Sequence, residues 1–168
     1  MELSRHDPSS ASIPSVVKGQ PDLVGVLLSR DLIFRTKIKE TAAELGYRVL
    51  EAQTEAAARS LIETHRPKVV LVDLTAGDFV APRALAAYRE LTHGGAWLVA
   101  FGPHVEKEAL AAARNAGCQV VLSRKRFVAN LPGLLLTLSG AIALVPGERA
   151  QAQVEEHNET PLPRQAAE

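Results

Sequence analysis

At 168 residues, with 19 Lys and Arg against 19 Asp and Glu, the chain has room for one domain with a sizeable core and no comfortable room for two. The charges cancel, which excludes bulk electrostatic attraction to nucleic acid or an acidic membrane. The single cysteine, Cys118, cannot close an internal disulfide, and no apolar run approaches the ~20 residues that span a bilayer. The expectation is a soluble cytoplasmic protein that binds neither nucleic acid directly nor membrane.

Residues 1–20 mix Ser, Pro, Asp and Lys without periodicity or a secretory signal, and are expected to form a disordered leader. Leu23 to Leu28 is apolar without alternation, the pattern of an interior strand. Phe34, Ile38, Ala42 and Leu45 then share one helical face, and Gly46 ends that helix. Tyr47 to Ala52 is a more polar strand, suited to a sheet edge. Thr54 caps a second helix with Ala58, Leu61 and Ile62 on its buried face, closed by Pro67. Val69 to Leu74 follows, five apolar residues interrupted by Asp73, which reads as the central strand of a parallel sheet with the acid at its carboxyl end. After a loop, Thr75 to Asp78, a third helix is expected from Pro82, a fourth strand over Ala96 to Phe101, an alanine-rich fourth helix ended by Gly117, and a fifth strand over Val120 to Leu122. Ser123 to Arg126 is expected to be a basic turn, with Asn130 and Pro132 opening a last helix. The domain is expected over residues 21–145. Residues 146–168 are expected to be a disordered tail with no output domain attached.

Strict alternation of strand and helix requires right-handed crossovers and a parallel sheet covered on both faces. With the polar second strand at an edge, the order 2-1-3-4-5 of the flavodoxin-like fold follows, and the ends of strands one and three meet at its switch point. Asp73 then faces the residues just after Leu28.

Over roughly residues 22–140 the chain resembles the receiver domains of two-component response regulators. Asp73 matches the position of that family's phosphoacceptor; Arg35, Ile38, Leu45 to Val49, Ala52 and Ala116-Gly117-Cys118 fit its pattern elsewhere. The resemblance implies the flavodoxin-like fold, a Mg²⁺ site made by two adjacent acids after strand one, a hydroxyl ending strand four and a lysine after strand five. The acid positions here are Ser29 and Arg30, with Asp31 one place late. Phe101-Gly102 replaces the hydroxyl, and Arg124 replaces the lysine, with Lys125 beside it. Thr75 completes this degenerate pocket.

Charge around Asp73 is thus inverted, and Mg²⁺ is not expected to bind. Arg30 and Arg124 can both approach Asp73, and an arginine takes a carboxylate bidentately without losing its proton. Two readings follow: a pseudo-receiver locked by a fixed salt bridge, or arginines that snorkel into solvent while Asp73 accepts backbone or hydroxyl hydrogen bonds. Asp78 is expected to stabilise a turn. The five histidines, 6, 65, 93, 104 and 157, lack metal-ligand spacing. The expected function is that of a non-catalytic signalling or scaffold module, not an enzyme and without cofactor, that contacts another signalling protein or a second copy of itself. A phospho-accepting receiver using Asp73 in a two-component phosphorelay is the alternative, and a small-ligand binder at the sheet's carboxyl edge the next.

Overall fold

Local chemistry places the ends of the helices. Asp31 accepts a hydrogen bond from Phe34 N at 3.1 Å and starts α1 (Leu32–Glu44). Thr54 does the same for α2 (Glu55–His65) through Ala57 N at 3.3 Å. Pro82 takes the first position of α3 (Pro82–Leu91), where its missing N–H costs nothing. Gly117 follows α4 (Lys107–Asn115) with φ 100°, a left-handed turn that favours glycine. The computed structural model describes residues 24–138, so the expected leader and tail and the outer margins of the 21–145 domain lie outside the described residues.

The strands are β1 (Val24–Leu28), β2 (Arg48–Ala52), β3 (Val69–Asp73), β4 (Trp97–Gly102) and β5 (Val120–Ser123). All pair in parallel in the order β2-β1-β3-β4-β5, so the flavodoxin-like arrangement and the edge position of β2 stand as expected. Side chains alternate between the two faces. Val26, Leu28, Val70, Val72, Leu98 and Ala100 pack under α2, α3 and α4, whereas Leu27, Leu71, Val99 and Phe101 pack under α1 and α5. On the second face Phe101 stacks on Phe127 at 4.0 Å and on Phe34 at 5.8 Å between ring centroids.

The last helix differs from the expectation. No basic turn precedes it: α5 (Arg124–Leu138) starts directly after β5 and carries Pro132 in its interior. Ser123 Oγ accepts from Arg126 N at 3.4 Å, a long first-turn bond that does the capping work expected of Asn130. Phe127, Leu131, Leu135 and Leu138 are buried at helical spacing, and that burial against the sheet overrides the local signal of the proline.

Between β3 and α3 a short 3₁₀ turn, Asp78–Val80, is clasped to α3 because the Tyr88 hydroxyl donates to the Phe79 carbonyl at 2.8 Å. Asp78 is exposed within this turn and its carbonyl accepts from Ala81 N at 3.0 Å.

Replacing Pro132, an exposed residue within α5, by alanine restores a backbone donor and is expected to raise stability by about 1–3 kcal/mol, read as a higher urea midpoint with an unchanged slope. Burial pushes the Tyr88 phenol up from 10.0 to about 12, with Glu55 adding and Arg59 opposing. Burial pushes the Cys118 thiol up from 9.0 to about 11, with Arg89 opposing. Both pKa values are raised, so the folded chain holds these protons more tightly than the unfolded chain. The stability they contribute is full below the unfolded pKa values and is lost as pH rises through the folded ones. The urea midpoint is expected to fall across that alkaline range, and Tyr88→Phe with Cys118→Ala to flatten the fall.

Candidate functional site

Parallel register brings the candidate residues to one level. Leu28 pairs with Val72, Asp73 with Phe101, and Gly102 with Ser123. Ser29, Asp73 and Arg124 therefore emerge together at the carboxyl edge of the sheet. All five residues of β3 are buried, and Asp73, the last of them, has 0% exposure. As an odd-numbered residue of its strand it belongs to the face covered by α1 and α5.

Each carboxylate oxygen of Asp73 is engaged. Oδ2 accepts from Ser29 Oγ at 2.8 Å. Oδ1 accepts from Thr75 N at 3.1 Å and from Thr75 Oγ1 at 2.7 Å. Arg124 Nη2 donates to Oδ1 at 3.0 Å, to Oδ2 at 3.3 Å and to Thr75 Oγ1 at 2.9 Å. Its Nη1 lies 3.6 Å from Asp31 Oδ2, and the guanidinium carbon sits 4.3 Å from the centroid of the Phe34 ring. Arg124 thereby joins the turn after β1, the loop after β3 and the start of α5. Ser29 Oγ also accepts from Asp31 N at 3.1 Å, which holds the α1 cap against the same cluster.

Of the two arginines expected near Asp73, the structure brings only Arg124. Arg30 turns to the other side: its Nε and Nη2 donate to the Gln53 carbonyl at 3.4 and 3.3 Å, and its guanidinium carbon lies 5.1 Å from the Phe79 ring centroid. Strand alternation continued past Leu28 explains the correction. Ser29 falls on the side of Asp73, and Arg30 on the side of Phe79 and α2. The grip of Arg124 is also not a fork: one nitrogen reaches both oxygens while the other turns to Asp31. Lys125 is exposed and takes no part in the contacts of Asp73. Phe101 is buried in the aromatic stack, and a Cβ on Gly102 would lie 3.3 Å from the Leu74 Cβ, so neither supplies a polar group at the strand end. Phe34, the apolar floor beneath Arg124, escaped the sequence reading as a site residue. Its signal was its place three residues after Asp31, in the turn that the cap orients.

The oxygens that the resemblance would offer to Mg²⁺ are committed elsewhere. The two acid positions hold a hydroxyl that bonds Asp73 and an arginine aimed away from it, and Asp31 Oδ1 is used as the α1 cap. This donor set does not fit a divalent ion while Arg124 is in place. Among the described residues no group of three or more His, Cys, Asp or Glu gathers for a metal, and no helix is long and apolar enough to cross a membrane. A cavity of about 110 Å³ opens between α3 and α4, lined by Leu74, Val80, Pro82, Leu85 and Ala112, beside the crevice and not over Asp73.

No protein-family model matches the chain, and no curated protein does. Solved structures do match. One is the signal receiver domain of the putative response regulator NarL from Mycobacterium tuberculosis: 21% identity, 71% of this chain and 98% of that one, TM-score 0.59. Another is the phosphorylated cyanobacterial phytochrome response regulator RcpA: 12% identity, 72% and 96% covered, TM-score 0.62. A third is a putative pilus assembly-related protein from Burkholderia pseudomallei: 19% identity, 75% and 96% covered, TM-score 0.58. At such identities the likeness is one of architecture. With its parallel five-stranded sheet and an aspartate at the end of the central strand, the described chain has the fold of a response-regulator receiver domain.

Proposed function

We propose that the chain is a non-catalytic, receiver-like signalling or scaffold module that works in the cytoplasm by protein–protein contact, with another signalling protein or a second copy of itself, and takes neither a phosphoryl group nor magnesium at Asp73. One observation carries this reading: both carboxylate oxygens of Asp73 are held by the chain's own donors, one of them a guanidinium. Transfer of a phosphoryl group to a carboxylate needs an oxygen open to in-line approach and cations aimed at the transferring group. Here Arg124 sits against both carboxylate oxygens, where the transferring group would have to approach. The neighbour RcpA is phosphorylated, and that property does not transfer with the fold.

Three of the exposed large apolar side chains stand at the starts of α1 and α5, which pack on the same face of the sheet, and the fourth, Val105, stands before α4. Leu32 and Ile33 open α1 and are 66% and 80% exposed, and Val128, one turn into α5, is 39% exposed, while its neighbour Phe127 is core. Lys125 and Arg126, also exposed, add positive charge in the first turn of α5 beside Val128.

The test is chemical. Incubation with acetyl phosphate and Mg²⁺, followed by intact-protein mass spectrometry, is expected to give no phosphoryl adduct on the unmodified chain. The variant Ser29→Asp, Arg30→Asp, Arg124→Lys, which supplies two acids and a lysine, is expected to gain one at Asp73. Efficient magnesium-dependent labelling of the unmodified chain overturns the proposal in favour of a phospho-accepting receiver.

A further inference from the structure

Four oxygens from three side chains, one in the turn after β1 and two at the end of β3 and in the loop that follows, converge on the two terminal nitrogens of Arg124. They are Asp73 Oδ1 and Oδ2, Thr75 Oγ1 and Asp31 Oδ2, at 2.9 to 3.6 Å. Two of the three side chains are carboxylates, and Asp73 has no solvent exposure. An ensemble of oxygen ligands from several loops is what a bound Ca²⁺ or Mg²⁺ collects, yet its centre here is a guanidinium carried by the chain.

The position of that guanidinium is itself unfavourable. Arg124 is the first residue of α5, and Arg124, Lys125 and Arg126 put three cations in a first turn that has no acid. The helix dipole places partial positive charge at this end, so each cation there is disfavoured unless anions offset it. Arg124 Nε is buried without a hydrogen-bond partner, which adds a desolvation cost. Helix packing alone does not call for an arginine here; the two carboxylates and the Phe34 face do.

We propose that Arg124 is the crevice's resident cation. It performs the positioning work of a bound divalent ion, setting its single positive charge between Asp73 and Asp31 and drawing the turn after β1, the loop after β3 and the start of α5 together. Its removal converts the same oxygens into a weak divalent-cation site. The inference deepens the proposed function and rests on its reading of Asp73 as internally neutralised. Its test uses no phosphodonor, so its failure and a positive labelling result remain distinguishable.

The experiment follows thermal unfolding of the full chain in buffer, in potassium chloride at matched ionic strength, and with CaCl₂ or MnCl₂. Arg124→Ala is expected to lower Tm by roughly 10 °C, because it leaves a buried carboxylate without its cation. About 10 mM divalent ion is expected to restore about 5 °C, as a site of roughly millimolar affinity would. The unmodified chain and the double variant Asp73→Asn, Arg124→Ala are expected not to respond to the ion, and the double variant to regain most of the lost stability without it. A merely structural arginine gives the loss without the rescue. If Arg124→Ala does not fold in chelator, recovery of its folded signal on refolding in CaCl₂ reads the same quantity. An Arg124→Ala chain as stable as the unmodified one overturns the inference. So does a loss that divalent ions leave unchanged or that potassium chloride repairs equally well.

Discussion

A carboxylate with no solvent contact at the end of a wholly buried strand is the constraint that the carboxyl edge of this sheet is built to meet. Removing an ionised carboxylate from water costs several kcal/mol even after a protein relaxes around it, unless donors and a counter-charge replace the water. For Asp73 that replacement comes from Ser29, the backbone and hydroxyl of Thr75, and Arg124. Each donor belongs to a different turn or helix end, so satisfying one side chain fixes the relative positions of three segments. The aromatic stack of Phe34, Phe101 and Phe127 lies against this polar cluster on the same face of the sheet, and packing and electrostatics hold α1 and α5 to the same strands.

The geometry of Arg124 reflects the competition among its partners. A bidentate fork on Asp73 would spend both terminal nitrogens on one carboxylate and leave Asp31 unmatched. Instead one nitrogen bridges both Asp73 oxygens and the other faces Asp31, while the ring of Phe34 covers the planar face of the guanidinium. With the Arg124 side chain 29% exposed and the Asp73 side chain 1% exposed, this ion pair is sheltered enough to escape most solvent screening. The contrast with Arg59 and Glu55, an i,i+4 pair with side chains 42% and 50% exposed, is direct. That pair has the same kind of bond and much less consequence.

The architecture was legible because it rests on repeated, redundant signals. Five apolar runs, the polar character of the second strand, and punctuation by Gly46, Thr54, Pro67, Pro82 and Gly117 all point to one arrangement. The site was legible only to the level of which segments meet. That Ser29 and Arg124 would reach Asp73 while Arg30 would not depends on side-chain direction. A two-residue alternation carried one step beyond Leu28 contains that information, since Ser29 shares the parity of Leu27 and Arg30 that of Leu28. The start of α5 was misplaced for a different reason. Asn130 and Pro132 are strong local helix-start signals, and the tertiary burial of Phe127 and Leu131 outweighs them.

A cation attached to the chain differs from a bound one in a way that bears on signalling. A conformational equilibrium moves only as far as a ligand's affinity differs between the two states, and only when the ligand's concentration changes. The effective concentration of Arg124 at Asp73 is set by the few bonds between the end of β5 and its guanidinium, and no change in the surrounding solution alters it. Arginine also cannot be titrated away at physiological pH. On the proposed function, a receiver fold held in this manner presents one surface continuously. What it would then report is its own abundance and the partner at the exposed ends of α1 and α5, where Ile33 and Val128 stand beside the turns that Arg124 holds.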